Sequence, residues 1–93
     1  MGIEIVSEVE EKKLLQYSLI YLYKNLTLQE FEQLCKKLLG FKNNEVRGLV
    51  LRSISNIGDI YFLPLVNFYI EKEDDEILKN YAKGVIKLLE QKL

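Results

Sequence analysis

The sequence predicts an all-α protein of five helices, and three observations carry that expectation. No segment alternates apolar and polar residues at period 2, which a half-buried strand requires, and Pro occurs once in 93 residues. Residues able to cap a helix stand in front of each apolar-periodic run. The helical pattern also recurs when the chain is slid over itself by about 32 residues, a period typical of helical repeats.

The first element is a helix over residues 8–25, opened by Ser7 and Glu10, whose spacing is that of a capping box. Thr27 and Glu30 form a second box and start a helix reaching Leu39, with Gly40 as its left-handed stop. Asn44 caps a third helix that ends at Ile57, before Gly58. Asp59 caps a fourth, which tolerates Pro64 only in its first turn. That helix fades into the acidic run EKEDDE, where Asp74 or Asp75 caps a fifth running to the end of the sequence. Lys83, Lys87 and Lys92 suit the negative pole of that last helix.

The slide sets Val46-Arg47 over Leu78-Lys79, Val50 over Ala82, Ile54 over Ile86 and Ile57 over Leu89. One step earlier, Leu14 falls under Val46, Ser18 under Val50, Leu22 under Ile54 and Thr27 under Asp59. Phe31, Leu34 and Leu38 fall under Leu63, Val66 and Ile70. Two helices per unit at a period near 30 is the mark of an α-solenoid, whose units bury their faces only against neighbours.

The stretch NNEVRGLVLRSISNIGDIYFLPLV then resembles a HEAT repeat of the PBS-lyase type. It has the capped start, the Val46-Arg47 pair, the small apolar Val50, the Ile57-Gly58-Asp59 turn and Leu63-Pro64 opening the next helix. Val50 and Ser53 depart from the family's alanines, and the first unit lacks both the Val-Arg pair and the Gly-Asp turn. The resemblance implies a single domain, residues 1–93: a short right-handed α-solenoid of about two and a half HEAT-like hairpins, with units near 7–40, 43–73 and 74–93. It also implies structural roles for Arg47 and Asp59 between helices and turns.

Composition narrows the function classes. With no histidine, His-based acid/base, Ser–His and Cys–His chemistry and His-containing metal sites are excluded. Cys35, alone and at helical spacing from Phe31 and Leu38, reads as a small buried hydrophobe in a reducing compartment. EKEDDE lacks the spacing and central glycine of an EF-hand loop and reads as a solvated turn. Neither cofactor, metal nor catalytic residue is expected. Glu4, Glu8, Glu10 and Glu11 occupy the place of a basic signal-peptide region, and the longest apolar run is about half a membrane span. The expectation is a cytoplasmic protein without a membrane partner.

Net charge is −1, which gives no global footprint for nucleic acid. Residues 36–52 nonetheless hold five basic residues and one acid. Lys36, Lys37, Lys42, Arg47 and Arg52 would therefore supply phosphate contacts if this segment acted as a helix-turn-helix, the alternative reading.

The segment LLQYSLIYLY, residues 14–23, is apolar almost all round. The repeat register assigns Leu14, Ser18, Tyr21 and Leu22 to the core and leaves Leu19, Ile20 and Tyr23 as surplus. That surplus is covered by Ile3, Ile5 and Val6 folding back, by a partner, or by a second copy forming a homodimer through the first helix. The sequence thus points to a non-enzymatic protein-interaction module, an inhibitor or adaptor of the immunity-protein or anti-CRISPR-like kind. Its partner-binding residues would be Leu19, Ile20 and Tyr23 on the first helix. On the second and fourth helices they would be Gln29, Gln33, Lys36 and Asn67. Tyr61, Phe62 and Tyr69 would be aromatic anchors.

Overall fold

The computed structural model describes residues 2–93, with side chains from Lys13 onward. Its helices are α1 (Gly2–Asn25), α2 (Leu28–Leu38), α3 (Asn44–Ile57), α4 (Leu63–Ile70) and α5 (Glu76–Glu90), with a 3-10 turn at Ile60–Phe62 before α4. Among the described residues there is no strand. The all-α expectation and the five helices stand.

Local chemistry explains most of the boundaries. Thr27 and Glu30 make both halves of a capping box, each bond 3.1 Å long. The Asn43 side chain accepts from the Glu45 amide, so the cap of α3 is Asn43 rather than Asn44. Asn44 is the first helical residue, and its side-chain amide donates to Asp75 at 2.9 Å. Asp59 accepts from the Tyr61 amide and so opens the 3-10 turn, after which Pro64 falls in the first turn of α4, where a missing N–H costs nothing. Asp75 caps α5 through the Leu78 amide.

Two further boundary expectations change. α1 begins at Gly2, so Ser7 lies within the helix; the Ser7 and Glu10 side chains, like those of Ile3, Ile5 and Val6, lie outside the described residues. Because that segment continues the same helix, it does not turn back over residues 19–23. α2 closes through a right-handed Leu39, and Gly40 is not left-handed. The left-handed glycine is Gly58, with φ +66°, closing α3 through a bond to the Ile54 carbonyl.

α1 packs on α3 and α3 on α5, while α2 packs on α3 and α4 on α5. The core they enclose is continuous, with Leu19, Phe31, Cys35, Val50, Leu51, Ile54, Phe62, Val66, Ala82 and Leu89 all buried. Its aromatic centre joins three elements. Tyr23 meets Phe31 edge-on at 5.5 Å, and Phe31 meets Phe62 edge-on at 5.6 Å, the geometry that ring quadrupoles favour. Ser53 is buried and donates to the Leu49 carbonyl at 2.9 Å, so its hydroxyl is satisfied.

The orientation of α1 corrects the register. Leu19 is 1 % exposed and belongs to the core, whereas Leu14, Tyr17 and Tyr21 are 67, 67 and 65 % exposed. The buried stripe is Leu15, Leu19, Leu22, Tyr23 and Leu26, the i, i+4, i+7, i+8, i+11 face. Matching burial sets Leu19 on Val50, Phe31 on Phe62 and Cys35 on Val66, so the α1–α2 pattern matches that of α3–α4 at an offset one residue less than the sequence slide gives. Between α3 and α5, the caps Asn43 and Asp75 and the buried Val50 and Ala82 fall at the same offset as in the sequence slide. One residue turns a helix by about 100°. That rotation moves Leu14 and Tyr21 from the expected core to solvent and brings Leu19 inside.

Candidate functional site

The exposed sides of α2 and α4 meet beside one groove. α2 buries Phe31 and Cys35, which leaves Gln29, Gln33 and Lys36, spaced i, i+4, i+7, along one outer stripe. α4 buries Leu65, Val66 and Tyr69, so Asn67 and Phe68 point outward. Phe68 is 51 % exposed. The Lys36 ammonium lies 5.7 Å from the centre of its ring and the Lys72 ammonium 4.3 Å. Such contacts contribute about 0.5–1 kcal/mol each at a surface. Among the described residues neither lysine is paired with a carboxylate. Beside the ring runs a groove of about 190 Å³ lined by Lys36, Leu39, Gly40, Leu65, Phe68, Tyr69 and Lys72.

The floor of this region is tied down by a buried polar network. Arg47 donates to Glu73 through Nε at 2.8 Å and Nη2 at 3.0 Å, and its Nη1 donates to the Phe41 and Lys42 carbonyls. The Tyr69 hydroxyl and the Asp75 amide also donate to Glu73. Burial alone would raise the Glu73 carboxyl, but these donors and the guanidinium charge outweigh it and hold its pKa at about 2. Burial, followed by the carboxylate of Glu73, pushes the Tyr69 hydroxyl up. The hydrogen bond to Glu73 likewise raises Arg47. The network anchors the loop after α2 to the end of α4 and to the cap of α5.

The run EKEDDE is thereby accounted for: Glu73 takes the arginine, Asp75 caps α5, and Lys72 faces Phe68. Among the described residues no group of three or more acidic or thiol side chains is placed to hold a metal ion. Cys35 is fully buried, and burial with the nearby Glu32 charge pushes its thiol up to about 12. No described helix is long and apolar enough to cross a membrane.

The candidate residues separate clearly. Gln29, Gln33, Lys36 and Asn67 are exposed, and Tyr61 sits at the margin, edge-on against Phe62 at 5.5 Å. Leu19 and Phe62 are core residues with no surface for a partner, and Tyr69 is buried in the Arg47–Glu73 network. Ile20 and Tyr23 are half-buried, and the Tyr23 hydroxyl donates to Asp59 at 3.4 Å.

The basic segment is divided between two regions. Arg52 lines a groove of about 240 Å³ with Gly48, Leu49, Ile77, Leu78 and Tyr81 between α3 and α5, while Lys36 lines the Phe68 groove. Lys42 and Arg47 border a cleft that adjoins the Phe68 groove through Gly40, Tyr69 and Lys72, and Arg47 is committed to Glu73.

Sequence reasoning missed Phe68 and Lys72. Phe68 stands off the stripe formed by Phe62, Leu65, Val66 and Tyr69, which was a legible sign that it faces outward. No family model matches the chain, and no curated protein or solved structure matches it either.

Proposed function

We propose that this chain is a non-catalytic protein-binding module that acts as a small inhibitor or adaptor through its α2–α4 face. In this reading it is a short right-handed α-solenoid of HEAT-like hairpins, with α1, α3 and α5 as one row and α2 and α4 as the other. The packing of α1 on α3 and α3 on α5 supports that arrangement, as do the near-equal repeat offsets and the structural tasks of Arg47 and Asp59. Solenoids bind along the face of one helix row.

The observation that carries the reading is Phe68, a large ring left half in water between Lys36 and Lys72 on a grooved surface. Aromatic side chains of this kind are the usual energetic anchors of protein interfaces. Gln29, Gln33, Asn67 and Tyr61 surround it with polar and aromatic rim contacts. Nucleic-acid binding is the less supported reading, because Arg52 lies in a different groove from Lys36 and Lys42, and Arg47 is neutralised by Glu73.

Site-directed photocrosslinking tests the proposal. A benzophenone side chain at Asn67 or Gln33 should yield one dominant protein adduct in cells that naturally make this chain. The same probe at Lys83, exposed on α5, should yield none. Equal adducts from both faces would refute the assignment, and a nucleic-acid adduct would favour the alternative.

A further inference from the structure

We infer that the groove beside Phe68 receives a short acidic peptide segment, in which carboxylates flank an aliphatic side chain. The inference rests on the protein-binding reading of the α2–α4 face and names the chemistry of its occupant. The Lys36 and Lys72 ammonium groups stand 5.7 and 4.3 Å from the centre of one ring, so their separation cannot exceed the sum of those two distances. Two like charges, one from α2 and one from just beyond α4, therefore both stand at that ring. Among the described residues neither has a carboxylate partner. A peptide with one carboxylate at each ammonium relieves their repulsion and gains charge-assisted donors on either side of the ring. The rest of the lining is mainly apolar, from Leu39, Leu65 and the Phe68 ring, which suits an aliphatic side chain seated between the charged contacts.

Lys42 borders the adjoining cleft that shares Lys72, but the acids on either side of the two lysines favour a peptide over a polyanion. Glu71 and Asp74 are exposed close to Lys72 in the chain, and Glu32 lies one turn before Lys36 on α2. A phosphate backbone carries charge at every step and would run from the lysines into these carboxylates. A peptide can place two acids at the lysines and neutral residues elsewhere. Specificity then comes from repulsion at the rim as well as attraction at the centre.

The test is selection of peptides from a random dodecapeptide phage library on the full chain. Binders are then measured by fluorescence anisotropy against four variants: Lys36→Met, Lys72→Met, Phe68→Ser and, as control, Lys83→Met. All four positions are exposed, and circular dichroism checks that each variant folds. Selected peptides should be rich in Asp and Glu around Leu, Ile or Met. Their affinity should fall at least tenfold for each of the first three variants and hold for the control. Raising salt from about 50 to about 300 mM should weaken them severalfold.

Basic or uncharged peptides that lose affinity with Phe68→Ser would overturn the acidic occupant while leaving the binding face intact. Peptides indifferent to all three variants would overturn both readings. A single-stranded DNA oligonucleotide that binds more tightly than the best peptide, and loses affinity with Lys36→Met and Lys72→Met, would replace the peptide with a polyanion.

Discussion

The Arg47–Glu73 pair offers the most quantitative test of how this fold is held. Glu73 is 6 % exposed and is satisfied by Arg47, Tyr69 and the Asp75 amide. Its pKa is about 2 against an ordinary 4.5, a difference worth about 3 kcal/mol at roughly 1.36 kcal/mol per pKa unit. Because the folded pKa is depressed, this stability is fully present above pH 4.5 and is lost as pH falls through about 2. Replacing Arg47 by Met strips the carboxylate of its charge partner while leaving it buried, and breaking such a pair from one side costs roughly 3–5 kcal/mol. Glu73→Gln removes the charge but keeps an acceptor, and should cost less.

Guanidinium unfolding followed by far-ultraviolet circular dichroism at pH 7, 5, 3 and 2 would measure Arg47→Met, Glu73→Gln and the double variant. The double variant should be more stable than the two single losses predict, with a coupling of about 2 kcal/mol. The wild type should lose its advantage over Glu73→Gln between pH 5 and 2. A coupling under about 0.5 kcal/mol, the scatter that independent sites show, would refute the network as the anchor of the α2–α3 loop. So would parallel stability curves for wild type and Glu73→Gln across that pH range.

Other consequences are more local. Cys35, with its thiol pushed up to about 12, should be thiolate in only about one chain in ten thousand at pH 8. Ellman's reagent should therefore label it only on unfolding, and rapid native labelling would contradict its burial. Gly58→Ala forces a side chain into a φ of +66° and should cost about 1 kcal/mol, a fall of roughly 4–8 °C in Tm; an unchanged Tm would deny the left-handed cap. Thr27→Ala removes one half of the capping box and should cost about 1 kcal/mol, readable in the same melts. If α1 mediates self-association, it does so through Leu14, Tyr17 and Tyr21, which are exposed, not through Leu19. Light scattering at high micromolar concentration should then give a dimer that Tyr17→Glu/Tyr21→Glu dissolves, and a monomeric wild type would end that idea.

The helices were legible in the chain because their ends are set by chemistry between near neighbours. Thr27 with Glu30, Asp59 with Tyr61 and Asp75 with Leu78 are bonds a linear reading can find. Equally legible were the match of α3 to α5, where both helices have one clear apolar face, and the burial of Cys35 among Phe31 and Leu38. The orientation of α1 was not. With apolar residues around nearly the whole of residues 14–23, two registers a single step apart satisfied the pattern. Only packing against α2 and α3 chose the one that buries Leu19, seats Tyr23 against Phe31 and leaves Tyr17 and Tyr21 in water. The candidate site was hidden for a related reason. Lys36 lies near the end of α2, Phe68 near the end of α4 and Lys72 just beyond it, and their meeting depends on how those helices lie together. Glu73, one acid in an acidic run, became a core residue because the fold brought Arg47 and Tyr69 to it. Caps and periods are properties of the chain. Rotations and juxtapositions belong to the packed molecule, since turning a helix by about 100° changes every neighbour while leaving every local bond intact.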